Sequence, residues 1–210
     1  MGIIWQGILG GVSGRVGNVI GSSWKGIPVL KSRPLSVANP RTTQQVHFRD
    51  RLTKLVAIAS PINSSIIIPL WNRFASRMSG YNAFIQANSE AFNSSMAFVP
   101  ASFSISRGRM ASTEIINADI QAVNTVCLVS FSPSVTDSFQ TADDVPFVVI
   151  TSNKGVLKGF KAGDNARFDE SELVNALPGS SFSVGDICFL AFRRQDGSVV
   201  SNTSFKALTA

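Results

Sequence analysis

The chain of 210 residues is 44% apolar, enough to bury a core without disulfides or metals, and only 15% charged, below the quarter or so usual for soluble proteins. Its formal charge of +6 is unevenly spread: residues 1–99 hold ten Lys and Arg against Asp50 and Glu90, and residues 100–210 hold nine against eleven acids. The split fits a polyanion-facing segment joined to a near-neutral module, or a solvated arm poor in acids, and the thin charge suits a protein that assembles.

Residues 1–40 read as a glycine-rich basic arm. In "GILGGVSGRVGNVIGSSWKGIPVLKSRP" glycine recurs at nearly every third or fourth position, which weakens any helix and permits tight turns or close backbone approach. The part "SSWKGIPVLKSRP" alternates well enough for a strand carrying Trp24, Ile27 and Val29, so short strands or an extended arm are predicted. A phosphate-binding P-loop is excluded, because no lysine followed by Ser or Thr stands after the last glycine, and Lys25 precedes Gly26. The dinucleotide glycine fingerprint is absent too. The N-terminus lacks the basic region of a secretory signal, Gln6 breaks the myristoylation pattern, and no run reaches the roughly 18 apolar residues of a membrane span.

Residues 41–100 read as a short helical section. Asn39-Pro40 marks a turn, Thr42 and Gln45 have capping-box spacing, and Phe48, Leu52, Leu55, Val56 and Ala59 recur at helical spacing beside a basic side. Ser60-Pro61 is expected to stop this helix. A second, begun or bent at Pro69, carries Trp71, Phe74 and Met78 and ends at Gly80; "YNAFIQANSEAF" is a third, with Phe84, Ala87, Ala91 and Phe92. Helices this short need a partner to pack on.

Residues 101–210 change to alternating runs between turns. "TVCLVSFSP", "PFVVITSN", "GDICFLAFRR" and "SVVSNTSFKAL" are the clearest strands, "QDG" signals a hairpin, and "DESELVNALP" is a helical turn or a strand. The expected fold is α+β: a glycine-rich arm with short strands, a short helical section, and an antiparallel β-sandwich of immunoglobulin or fibronectin type.

Catalytic chemistry finds no foothold. His47 is the sole histidine and reads as a helix-surface residue, no serine lies in a nucleophile elbow, and Asp143-Asp144 and Asp169-Glu170 with Glu172 read as solvated acids. Cys127 and Cys188 are too few and too distant for a disulfide framework or a zinc site, and their apolar neighbours suit buried free thiols in a reducing compartment. No enzyme activity, catalytic residue, metal or cofactor is expected.

The succession "GGVSGRVGNVIGSSWKGIPVLKSRP", "PRTTQQVHFRDRL", "YNAFIQAN", "FSISRG" and "ICFLAFRRQDGSVVSNTSF" resembles an uncharacterised family of small proteins of environmental and gut bacteria and of their phages and prophages. The resemblance implies a glycine-rich N-terminal section, short helices and a C-terminal fibronectin-like sandwich. It implies no activity and no functional residues, and its phage context favours a virion or assembly role over metabolism.

The positive signal is the basic set Arg15, Lys25, Lys31, Arg33, Arg41, Arg49, Arg51 and Lys54, opposed in its stretch by Asp50 alone. Such cations can neutralise phosphates without reading bases. Trp5, Trp24 and Trp71 are candidate interface anchors, and Trp5 and Trp24 could also stack on bases. The expected function is a non-catalytic phage virion or assembly protein, located in the virion or in host cytoplasm before assembly. Its partners would be copies of itself and other virion proteins, with DNA reached through its phosphates. The alternative is an intracellular nucleic-acid-binding accessory protein without sequence specificity.

Overall fold

The computed structural model describes residues 3–4, 12–36, 39–121, 124–133, 135, 137–163 and 166–209. The chain divides into two compact units, Met1–Gln45 and Val46–Ala210. It is an α+β protein with three antiparallel sheets.

The first unit is a four-stranded sheet in the order β1 (Ile3–Ile4), β2 (Val12–Val16), β3 (Val19–Trp24) and β4 (Ile27–Ser32). The short strands expected for the arm are present, and two-residue turns set their register. Lys25 and Gly26 have φ of 47° and 80°, the pair of positive values that a type I′ hairpin needs, so Trp24 faces Ile27 across the strands. Gly17, at φ 57°, opens the Gly17-Asn18 turn that pairs Val16 with Val19.

The second unit holds two sheets. One has the order β11 (Ser204–Ala207), β10 (Ile187–Arg193), β7 (Val145–Thr151), β8 (Leu157–Ala162); the other has the order β5 (Ile115–Gln121), β6 (Val126–Phe131), β9 (Ser171–Asn175). The period of two along a strand sends Val148 and Ile150 of β7, and Cys188, Leu190 and Phe192 of β10, into a cluster shared with Ile115, Ala118, Cys127, Val129, Phe131 and Val174 of the three-stranded sheet. The intervening Phe147, Val149, Ile187, Phe189 and Ala191 enter a second cluster with the helices. The central sheet is therefore covered on both sides, which is why its strands read as continuous apolar runs. "DESELVNALP" resolves into a 3₁₀ turn, Arg167–Asp169, followed by β9.

The helices supply the outer layer. Helix α1 spans Thr43–Ile62, with Gln45 N donating to Thr42 Oγ1 at 3.4 Å at its start. The helix does not stop at Ser60-Pro61. Pro61 lies inside α1, and the chain continues through a π-helical turn, Asn63–Ile67, whose wider hydrogen bond runs from Ile68 N to Asn63 O, into α2, Ile68–Trp71. Pro61 removes one helical N–H without ending the helix, because burial of Ile58, Ile62, Ile66 and Ile67 in the core holds the segment there. The second helix ends at Trp71 rather than at Gly80. Gly80 begins α3, Gly80–Ala87, and donates its N–H to Asn72 Oδ1 at 2.8 Å; the Ser79 hydroxyl caps the helix on Asn82 N at 3.2 Å. Phe84, Phe98, Phe103 and Phe189 stack edge-on or tilted between helices and sheet. Ala101, where the sequence changes texture, lies inside this second unit.

One buried ion pair pins loops at the edge of the two-sheet core. Arg167 and Asp144 are both fully buried, with Nη2 3.3 Å from Asp144 Oδ2 and Nη1 2.6 Å from Thr113 Oγ1, and the guanidinium carbon lies 4.1 Å from the centre of the Phe192 ring. Burial pulls the Arg167 pKa down from its ordinary value, and Asp144 opposes that pull by charge and hydrogen bond.

Candidate functional site

Among the described residues of the first unit, no hydrophobic side chain is fully buried. Cross-strand register places Arg15, Ile20 and Lys31 in one row and sets Trp24 opposite Ile27 and Ser22 opposite Val29 on the same face. Val16, Val19 and Leu30 take the other face. Trp24, Ile27, Val29, Val16, Val19 and Leu30 are all exposed, Leu30 at 65% and Trp24 at 52%. A sheet gains its stability from a covered apolar face, and contiguous exposed apolar surface marks an interaction site. The single strand expected to carry Trp24, Ile27 and Val29 is corrected to two: Trp24 ends β3, Lys25-Gly26 turns the chain, and Ile27 and Val29 lie on β4. The opposite row was missed, although the Gly-Asn and Lys-Gly pairs at two-residue hairpin spacing were its signal.

The expected cations divide into three groups. Arg15 and Lys31 share one face of the sheet, Lys25 occupies the hairpin turn, and Arg33 and Arg41 flank the unit's last strand and first helix; all five are exposed. Arg49 is exposed on α1. Arg51 and Lys54 are tied to their own chain: Arg51 Nη2 donates to Ser89 O at 2.5 Å, and Lys54 Nζ donates to Met96 O at 3.1 Å while lying 5.4 Å from the Phe92 ring centre. These two help hold the loop after α3 against α1 and are less free to meet a polyanion.

The tryptophans also separate. Trp24 is exposed on the first sheet. Trp71 is a core residue, buried with its indole N–H donating to Ile105 O at 2.8 Å and its ring edge-on to Phe84, which corrects its reading as an interface anchor. A large amphipathic ring at helical spacing suits a core as well as an interface, and only packing distinguishes them. Trp5 lies outside the described residues.

Helix α1 is covered unevenly. Leu55, Ile58, Ala59 and Ile62 enter the core, whereas Phe48, 69% exposed, and Leu52 stand out of it. Phe48, Leu52, Leu55, Ile85 and Phe92 line an apolar groove of about 230 Å³. The helical stretch Thr43–Trp71 is long and apolar enough by length and composition to cross a membrane, with mean hydropathy 1.3 in its best window, although the sequence shows no unbroken apolar run. Its buried residues pack on the central sheet.

Cys127 on β6 and Cys188 on β10 are free and buried in the core between the two sheets. Burial, then the charge of Asp119, pushes the Cys127 thiol up to about 12; burial and the neighbouring Cys127 push Cys188 well above its ordinary value. Neither offers a thiolate near neutral pH. Among the expected surface acids, Asp144 and Glu172 are buried instead, Glu172 lying 3.8 Å from Lys161 Nζ. Among the described residues no group of three or more His, Cys, Asp or Glu is placed to hold a metal ion.

No curated protein and no solved structure matches the chain. A protein-family model spans residues 11–207, from the first sheet through the last strand, and on that match the chain belongs to DUF6266, a family of unknown function.

Proposed function

We propose that the chain is a non-catalytic structural or assembly protein, a phage virion component that associates with copies of itself and with other virion proteins through its N-terminal sheet. The observation that carries the reading is the pair of exposed apolar rows on the two faces of one small sheet. Each of these half-exposed side chains would contribute about 1 kcal/mol on being covered. The uncovered Phe48 and Leu52 on α1 add a second patch of the same kind. The phage context comes from the resemblance described above, and it supports a location in the virion, or in host cytoplasm before assembly.

The C-terminal strands support an immunoglobulin- or fibronectin-like sandwich. Seven strands form two antiparallel sheets, β5-β6-β9 and β11-β10-β7-β8, packed face to face over one cluster, with a helical layer added outside. Such a module presents loops and edges and asks no chemistry of them.

Sedimentation of the full-length chain before and after nuclease treatment tests the assembly reading. A defined oligomer that survives nuclease, and that falls to monomer in the double variant Trp24→Ser with Val29→Ser, is the expected result. A wild-type chain that stays monomeric at every concentration contradicts it.

A second reading rests on the row that puts Arg15 and Lys31 on one face: an accessory protein binding nucleic acid through phosphates. It requires steep salt dependence, a loss of roughly 10³ in affinity between 50 and 200 mM salt for about six engaged phosphates, and a flat response excludes it.

A further inference from the structure

The second unit gathers arginines that a charge count by halves conceals. The segment Ser106–Met110 is stitched alongside Val200–Thr203. Ser106 N donates to Thr203 Oγ1 at 2.9 Å, Ser106 Oγ to Ser201 O at 2.7 Å, and Gly108 N to Asn202 Oδ1 at 3.3 Å. Met110 N donates to Val200 O at 3.2 Å, and Asn202 N to Met110 O at 3.1 Å. A Cβ on Gly108 would collide with the Val200 carbonyl, so this glycine sets how closely the two segments lie. Along the extended segment Ser106 and Met110 point inward, while Arg107 and Arg109 are both exposed, about 6.6 Å apart along the chain; Arg107 Nη2 donates to Ala87 O at 3.0 Å, which leaves its remaining guanidinium N–H groups for a ligand.

These two arginines line a cleft of about 570 Å³ together with Phe74, Phe139 and Ser198. Three more stand around the adjoining turn. Arg73 Nη1 donates to Asp196 O at 3.3 Å, Arg194 Nη2 donates to Phe139 O at 3.1 Å, and Arg193 Nη1 lies 4.0 Å from where a Gly197 Cβ would stand. Among the described residues no ion pair joins any of the five to a carboxylate. Asp196 accepts from Ser198 N at 2.7 Å and also feels the charges of Arg194 and Arg73, and Asp137 accepts from Ala111 N at 3.2 Å and Phe139 N at 3.4 Å, so neither acid is paired with Arg107 or Arg109.

Arg193 Nε, Arg194 Nε and Ser198 Oγ are buried without a hydrogen-bond partner. Of these three residues only Ser198 lines the cleft, and the Arg193 guanidinium lies 5.6 Å from the centre of the Phe147 ring, so the cleft's own cations are Arg107 and Arg109. The planar guanidinium fork matches phosphate oxygens two at a time, and exposed phenylalanine rings offer a stacking surface for a base.

We propose that this cleft binds a nucleotide unit, its phosphate held by Arg107 and Arg109 and its base stacked against Phe74 or Phe139. The site is built from residues of the second unit and stands whether or not the N-terminal sheet self-associates. The unit is either a free nucleotide or one residue of a single strand.

Fluorescence anisotropy of a labelled oligothymidylate, titrated with the full-length chain, tests this. The competitors are unlabelled oligothymidylate, thymidine monophosphate and inorganic phosphate. Arg107→Ala with Arg109→Ala is expected to weaken binding at least tenfold and to reduce the salt slope by about 1.4. Arg109→Ala alone removes no contact within the described chain, so it weakens binding without changing the thermal melt. Phe74→Leu and Phe139→Leu together weaken binding several-fold, and Arg15→Ala with Lys31→Ala leaves it unchanged. Competition by thymidine monophosphate assigns the free nucleotide, competition by the oligomer alone assigns the strand, and either supports the site. Absence of binding, wild-type affinity in the double arginine variant, or inorganic phosphate competing as well as thymidine monophosphate overturns it.

Discussion

The sheet β1–β4 and the sheet β11-β10-β7-β8 have the same number of strands and the same antiparallel pairing, yet β4 is exposed at every position while β7 and β10 are buried at nearly every one. The ladder is common to both, so the difference lies in what covers the faces. In the second unit, helices and a three-stranded sheet sandwich the central strands, and each apolar side chain there is repaid by leaving water. In the first, among the described residues, comparable side chains are held in register by two tight turns and stay exposed. That uncovered sheet is the observation on which the proposed association rests.

The comparison breaks first at the central strands. Phe189→Ala on β10 removes a ring 4.9 Å from Phe103 and 6.2 Å from Phe98, and is expected to cost about 3–5 kcal/mol in denaturant unfolding of the second unit. A loss below about 1 kcal/mol would mean that the helical layer does not pack there.

Next comes the buried ion pair. Arg167→Ala leaves Asp144 charged without its partner in the core and is expected to cost about 3 kcal/mol, whereas Arg167→Met with Asp144→Leu recovers most of that loss. Equal losses in the single and double variants would show that packing, not the stranded charge, sets the penalty.

A smaller effect separates the units by pH. The Cys127 pKa is raised on folding from 9.0 to about 12, so the folded state holds this proton more tightly than the unfolded state. The resulting stabilisation is complete below about pH 9 and declines as pH rises toward 12. Cys127→Ala should flatten that alkaline decline in thermal melts, and an unchanged slope would assign it elsewhere.

The smallest effect on stability belongs to the first sheet. Trp24→Ser at concentrations where the chain is dissociated should shift unfolding of the second unit by less than about 0.5 kcal/mol, because an exposed ring loses little. A larger shift would show that Trp24 is covered within its own chain.

Much of this contrast can be read from residues, and part of it cannot. "PFVVIT" and "ICFLAF" announce strands through β-branched and aromatic density, whereas the hairpin at Lys25-Gly26 went unread because the residues around it alternate like one strand. That β7 and β10 are covered twice escapes a reading of them as alternating strands, although their unbroken apolar runs are what burial of both faces demands. Strand β8, "LKGFKA", was hidden by two lysines and a glycine; its Lys158 is satisfied only across the fold, 2.8 Å from Asp186. Pro61 misled because a local rule of helix termination yielded to tertiary burial of the isoleucines after it. Trp71 and Trp24 look alike in sequence, and burial alone tells the core ring from the exposed one. The arginine cleft was the least legible feature, assembled from segments near residues 73, 107 and 194 that only the fold brings together.

Hydrogen exchange of the full-length chain at a series of protein concentrations tests the central claim most directly, because it reads both sheets in one sample. The amides of β3 and β4 should be weakly protected when dilute and gain protection as concentration rises, while those of β7 and β10 stay strongly protected throughout. Protection of β3 and β4 that is already strong in the dilute monomer, or that never changes with concentration, would contradict the assignment of the N-terminal sheet as an assembly surface.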